Sequence, residues 1–309
     1  MKKISILGLL LLAFTVFAQT YTIKLNLKKG ETYSVLSDMK MDMVQKAMGQ
    51  EMPIKMNIII GNSYKVLTAD KDGFTLEGKY NYIGNNVDVM GQSMKMASDV
   101  KDENPANKMF AAMVNIPYTM KVKNNGEVIS VEGYEKIVEA MKNALPENIR
   151  EQTASQFGKT FSKEQVAQGL KSTFFAVPPK PVKLGDTWDA VYVTQNNGVD
   201  LTNKMSCTLE AADKQSYKIS YTGSFVAKEG SSIEQNGMKL DVKKMDGTMT
   251  GVLLLDKNTS WVKNNENKTK MKMEMEMKMG EQSMPMESAV DMVVVATDAS
   301  APTPVATAK

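Results

Sequence analysis

Met271-Lys272-Met273-Glu274-Met275-Glu276-Met277-Lys278-Met279 alternates thioethers with charges. A helix would scatter these sulfurs around its circumference, whereas a strand sets all five on one side, with neighbours about 6.6–6.8 Å apart. The stretch therefore predicts a β-strand with one apolar and one charged face. Beyond a turn at Gly280-Glu281-Gln282, Met284, Met286, Val290, Met292 and Val294 fall on one side of a return strand.

The same period of two extends outward through most of the chain. Tyr33, Val35, Ser37, Met39, Met41 and Met43 alternate with Ser34, Leu36, Asp38, Lys40 and Asp42. Met52, Ile54, Met56, Ile58 and Ile60 alternate with Pro53, Lys55 and Asn57. Three turns share one phrase: Met48-Gly49-Gln50-Glu51-Met52, Met90-Gly91-Gln92-Ser93-Met94 and Met279-Gly280-Glu281-Gln282-Ser283-Met284. Further turns are marked by Asp72-Gly73, Asn124-Asn125-Gly126, Asn196-Asn197-Gly198 and Asp256-Lys257-Asn258. Strands joined by turns this short pair antiparallel.

The middle of the chain changes period. Ile137, Val138, Met141 and Leu145 share a helical face, and a second helical stretch is expected over residues 147–157. Ser162-Lys163-Glu164-Gln165 has the form of a capping box and predicts a third helix to about Phe174. Val177-Pro178-Pro179-Lys180-Pro181-Val182 then stops helical structure. The flanks echo one another. Lys29-Gly30-Glu31-Thr32-Tyr33 returns as Leu184-Gly185-Asp186-Thr187-Trp188, and the strand–turn–strand at 116–131 returns at 251–262. The expected fold is mainly β (α+β), with antiparallel curved sheets in two related halves and a short helical connector. Its segments are 19–133, 134–182 and 183–296, and one continuous curved sheet fits the text equally well.

The ends read as processing and tail. Met1-Lys2-Lys3, the apolar stretch 4–17, and Val16 and Ala18 before Gln19 form the pattern of a secretory signal cleaved after residue 18. That stretch is too short for a membrane span, and no other segment approaches one. An exported protein of the periplasm or envelope is expected. Residues 297–309, rich in Ala, Thr and Pro, read as a disordered tail.

Composition narrows the chemistry. There is no histidine, which removes Ser-His-Asp and Cys-His catalysis in their usual forms and the commonest transition-metal ligand. Arg150 is the only arginine, and the chain without Lys2 and Lys3 carries a net charge near +1, so a nucleic-acid partner is not expected. Cys207 has no internal partner for a disulfide and reads as a small buried residue. Asp70-Lys71-Asp72-Gly73 and Asp99-Val100-Lys101-Asp102-Glu103 lack the spacing of a calcium loop. No catalytic residue, cofactor or metal site stands out, and a non-enzymatic binding or structural role is expected.

The 26 methionines carry the remaining signal. Met39, Met41, Met43, Met52, Met56, Met271, Met273, Met275, Met277, Met279, Met284 and Met286 are the candidate ligand-lining residues. Four readings compete. The sulfurs fill a packed sheet face, or they line a groove for a lipophilic ligand, to whose varied shapes a flexible side chain adapts. They bind a soft ion such as Cu(I) or Ag(I), for which thioethers are suited. Lastly, a membrane barrel would point them outward, but the sequence lacks aromatic girdles. A carboxylate-dependent hydrolase is the remaining enzymatic alternative.

Several of these pieces together resemble a family of uncharacterised exported proteins common in Bacteroidota, known as a domain of unknown function. The resemblance rests on Ala18-Gln19, Gly30-Glu31-Thr32-Tyr33, Met48-Gly49-Gln50-Glu51-Met52, Asn125-Gly126-Glu127-Val128 with Val131-Glu132-Gly133, Lys183-Leu184-Gly185-Asp186-Thr187-Trp188 and Met284-Pro285-Met286. It implies export and a shared architecture, and no catalytic residues. Many relatives carry a lipobox cysteine for membrane anchoring, which this sequence lacks.

Overall fold

A computed structural model describes residues 19–151, 162–196, 198–235, 238–279 and 282–300. Residues 1–18, read as a signal sequence, the expected second helical stretch beyond residue 151 and residues 301–309 of the expected tail lie outside the described residues.

The protein is mainly β, with antiparallel strands and a few short helices. The first half contributes β1 (Thr20–Tyr21), β2 (Thr32–Ala47), β3 (Gln50–Ala69), β4 (Gly73–Val89), β5 (Gln92–Ala97), α1 (Pro105–Met113), β6 (Tyr118–Lys123) and β7 (Val128–Glu132). Helices α2 (Glu135–Asn143) and α3 (Lys163–Phe174) follow. The second half contributes β8 (Val182–Lys183), β9 (Thr187–Asn196), β10 (Val199–Ala212), β11 (Ser216–Ala227), β12 (Ser232–Gln235), β13 (Met238–Asp256), β14 (Val262–Met279) and β15 (Gln282–Asp298).

All but β1 and β8 join one 13-stranded antiparallel sheet, ordered β7-β6-β4-β3-β2-β15-β14-β13-β11-β10-β9, with β5 and β12 branching from β4 and β13. Both halves step the same way across it. The halves join where β15, the last strand of the second, pairs with β2 of the first, Met292 opposite Met41.

The echoed sequence at the start of each half builds the same local structure. Gly30 N–H donates to Val66 O at 2.9 Å and Val66 N–H donates to Glu31 O at 2.9 Å. In the second half Gly185 N–H donates to Leu209 O at 2.9 Å and Leu209 N–H donates to Asp186 O at 3.1 Å. Both turns need a left-handed residue, and glycine supplies it with φ +88° and +82°.

The sheet is curled. Eleven strands laid flat would separate the edge strands β7 and β9 by roughly 47 Å. Yet α3, a helix of about 18 Å, packs on both edges. Phe175 at its end stacks on Tyr192 of β9 at 5.1 Å and meets Tyr221 of β11 at 4.9 Å. Phe174 meets Trp261, before β14, at 5.6 Å. The sheet is therefore an incomplete barrel with the helical connector filling its gap. Ser162 caps α3 as the sequence predicts, its Oγ accepting from Gln165 N–H at 3.3 Å.

The lower end of the barrel is closed by residues 21–27, an extended segment that alternates without joining the sheet. Tyr21, Ile23, Leu25 and Leu27 are buried while Lys24, Asn26 and Lys28 are exposed. Its backbone bonds go to turns: Leu25 N–H to Asn124 O at 2.8 Å and Asn26 N–H to Thr259 O at 2.9 Å. Tyr21 packs edge-on against Tyr217 at 5.9 Å, with Lys257 Nζ over both rings.

Two details differ from the sequence expectation. Helix α1 lies within the stretch read as purely β. Asn104 caps it, its Oδ1 accepting from Ala106 N–H at 2.9 Å, and Pro105 opens it. Strand β15 continues to Asp298, two residues into the stretch read as tail, because Thr297 and Asp298 pair with Leu36 and Val35.

Candidate ligand-binding face

The two faces of the central strands differ in chemistry. Met39, Met41 and Met43 of β2 are half-buried while Lys40 and Asp42 between them are exposed. Met271 and Met273 of β14 are half-buried and Lys272 and Glu274 exposed. On the outer face Lys270, Asp291, Asp42 and Lys55 form one row across four strands. Lys270 Nζ lies 3.8 Å from Asp291, an exposed pair of small energetic weight.

Strand register brings most of the candidate residues together on the inner face. Met41 lies opposite both Met292 and Met56; Met43 lies opposite Val290 and Ile54; Met39 lies opposite Val294 and Ile58. Farther up, Met275 pairs with Met286 and Met277 with Met284. Met275 and Met286 are buried, with Leu240 beside them. Met277 and Met284 are half-buried. Met52, opposite Gln45 near a hairpin tip, is exposed. Met279 ends β14 opposite Gln282.

Register also adds residues that the candidate set lacks. Met292 completes the Met41 row. Met245 of β13 lies opposite Met273, and Met249 opposite Thr269. In β13 a bulge between Val242 and Lys244 consumes one residue, so inward positions switch from even (Leu240, Val242) to odd (Met245, Met249, Leu253). Simple alternation fails there for that reason.

The inner face changes character along the barrel axis. The lower half is a closed aromatic core. Trp261 meets Tyr33 at 5.3 Å and Tyr64 at 5.7 Å, and Tyr80 and Tyr134 share a hydrogen bond of 3.1 Å. Burial holds the phenols of Tyr64, Tyr80, Tyr118 and Tyr192 well above their ordinary range and pushes Tyr134 and Tyr221 up to about 12. Burial also pushes the Cys207 thiol up to about 12, the behaviour of a packing residue.

A polar belt follows above this core. The Tyr221 side chain crosses β13 over Gly251, where a Cβ would come within 2.3 Å of its hydroxyl oxygen. The hydroxyl donates to Asn265 Oδ1 at 2.8 Å and accepts from Asn267 Nδ2 at 3.2 Å. Thr269, two residues on, donates to Asn267 Oδ1 at 2.8 Å. Above the belt the methionines begin.

Among the described residues, four carboxylates show displaced titration and all are held low. Glu127 is lowered by Lys123 and Glu210 by Lys218. Asp213 is lowered by the Gln215 and Ser216 N–H groups. At Asp256 burial opposes ionisation, but bonds from Thr259 and Asn258 outweigh it. These are turn and surface carboxylates in ordinary capping and pairing roles. Among the described residues, no group of three or more His, Cys, Asp or Glu side chains could hold a metal, and no helix is long and apolar enough to cross a membrane.

Fold and face together define a class: a β-protein built on one curled sheet, closed at its lower end and lined with methionine above. Over residues 70–262 the chain matches the model of the Family of unknown function (DUF6263), and it belongs to that family. No curated protein matches it. Among solved structures it is similar to lipovitellin, from a study of lipid–protein interactions, with a TM-score of 0.44 and 8% identity over 92% of this chain and 27% of that one. It is also similar to an outer membrane channel from Pseudomonas putida F1, with a TM-score of 0.26 and 6% identity over 89% of this chain and 97% of that one. Pseudomonas aeruginosa OccK5 gives a TM-score of 0.21 and 8% identity over 87% and 99%. The chain thus spans about a quarter of the lipovitellin chain.

Proposed function

We propose that this is an exported, non-enzymatic binding protein that holds a lipophilic ligand against the methionine-lined part of its sheet. One observation carries the reading. In the lower half the inward residues Ile83, Leu209, Ile219 and Leu253 are at most 1% exposed. On the same face Met39, Met41, Met43, Ile54, Met56, Ile58, Met271, Met273 and Met292 remain half-buried, although they sit in the middle of a wide sheet. Apolar surface left uncovered inside a curled sheet suits a ligand that covers it. Methionine suits ligands of varied shape, since its unbranched chain re-packs with little strain.

Native mass spectrometry of the protein purified from its own host tests this directly. The expected result is a co-purifying lipophilic mass that organic extraction removes and a fatty-acyl fluorescent probe replaces. Met271→Glu, which places a charge on the inner face, is expected to lower probe affinity by roughly tenfold or more while leaving the β-sheet circular dichroism unchanged. A bare polypeptide mass together with no probe binding by the extracted protein would overturn the reading.

A further inference from the structure

We infer that Met41, Met56 and Met292 form a binding site for one soft monovalent cation, Cu(I) or Ag(I), on the inner face of the sheet. The row spans three adjacent strands in direct register, Met292 of β15 opposite Met41 of β2 and Met41 opposite Met56 of β3. Directly opposed residues hold their Cβ atoms about 5 Å apart. Three unbranched side chains from that spacing can turn their sulfurs toward a common point. All three are half-buried, shielded from bulk water yet reachable from inside the barrel.

The rows on either side show what packing alone selects. Ile58, Met39 and Val294 form the row below, and Ile54, Met43 and Val290 form the row above. Each carries two β-branched residues, which suit a strand better than methionine does. Only the middle row of the three is thioether throughout. Met39 and Met43 flank Met41 along β2, so further sulfur lies one pleat away on either side.

Charge selects the ion. The acids nearest in sequence, Asp42 and Asp291, lie opposite each other at the next register position, which faces the outer side. The inner row is therefore neutral, and neutral thioethers favour a soft monovalent ion over Zn(II), which binds thiolate, imidazole and carboxylate. Binding exchanges solvent ligands for sulfur and involves no electron transfer.

The site does not depend on a lipophilic ligand, so the test uses protein stripped by organic extraction and refolded, with probe binding measured separately. Cu(I) is titrated anaerobically against a chromophoric chelator, and Ag(I) serves as the redox-inert counterpart. The expected result is one equivalent bound more tightly than micromolar, with sulfur-only coordination in X-ray absorption. Met41→Leu, Met56→Leu and Met292→Leu keep volume and apolarity, and each is expected to weaken binding by roughly tenfold or more. Met48→Leu and Met90→Leu, at distant hairpin tips, are expected to leave it unchanged. Affinity no tighter than micromolar in the parent protein would overturn the site, and so would retained affinity in the three row variants. A loss of probe binding with metal binding intact would count against the lipophilic reading alone.

Discussion

Met48 and Met90 occupy a backbone conformation that methionine disfavours. Each opens a two-residue hairpin turn at φ +52° and +55°, followed by Gly49 and Gly91 at φ +75° and +85°. These are the two left-handed positions of a type I′ turn, where Asn-Gly is the favoured pair. Both side chains are exposed, at 79% and 70%, so packing recovers little of the strain. Met48→Asn and Met90→Asn should therefore each raise stability by about 1 kcal/mol, read as a higher midpoint in urea at unchanged slope. The turns themselves are legible in the repeated Met-Gly-Gln phrase. Their left-handed methionine is not, because composition points to Asn-Gly there. The proposed cation site lies further from reach. Met41, Met56 and Met292 are ordinary members of three alternating segments until register sets them side by side, and register between β15 and β2 is carried by pairing of the whole strands.

At the scale of elements, period two was readable wherever the ladder is regular. It gave the face of β2, β3, β14 and β15, and it failed at the β13 bulge. The cap of α3 was readable because Ser162 and Gln165 stand at the required spacing. Residues 21–27 show a different failure. Tyr21, Ile23, Leu25 and Leu27 alternate as a strand would, yet the large sheet does not receive them: Tyr21 pairs with Val182 of β8, and the backbone of Leu25 and Asn26 bonds to turns far away in the chain. Their burial makes this segment a lower lid to the aromatic core. Leu25 is 2% exposed and its N–H is bonded to Asn124. Leu25→Ala should lower unfolding free energy by about 2–5 kcal/mol. Because the lid touches the β6–β7 turn, the β13–β14 turn and β11, the loss should appear in the global transition. A separate early transition with an unchanged main midpoint would show that the lid opens independently of the sheet.

For the whole molecule, the absence of histidine and the buried aromatic core fix how stability responds to pH. No side chain with an ordinary pKa near neutrality is present, so stability should be flat from about pH 6 to 8. On the alkaline side, burial raises the folded-state pKa of Cys207, Tyr134 and Tyr221 to about 12, and raises Tyr64, Tyr80, Tyr118 and Tyr192 as well. The unfolded chain ionises these groups near about 8.5 for the thiol and 10 for the phenols. Folding therefore favours the protonated forms. Their contribution is fully present below about pH 8.5 and is lost progressively as pH climbs toward about 12, because the unfolded state releases protons first. Urea midpoints measured at intervals from pH 6 to 11 should hold level and then fall, with the core phenols' share of the tyrosinate absorbance at 295 nm rising together with unfolding and not before it. Titration of these six core phenols ahead of unfolding, at the pH of free tyrosine, would mean the aromatic end of the barrel is open to water. The curled sheet would then be closed by neither its lower lid nor α3.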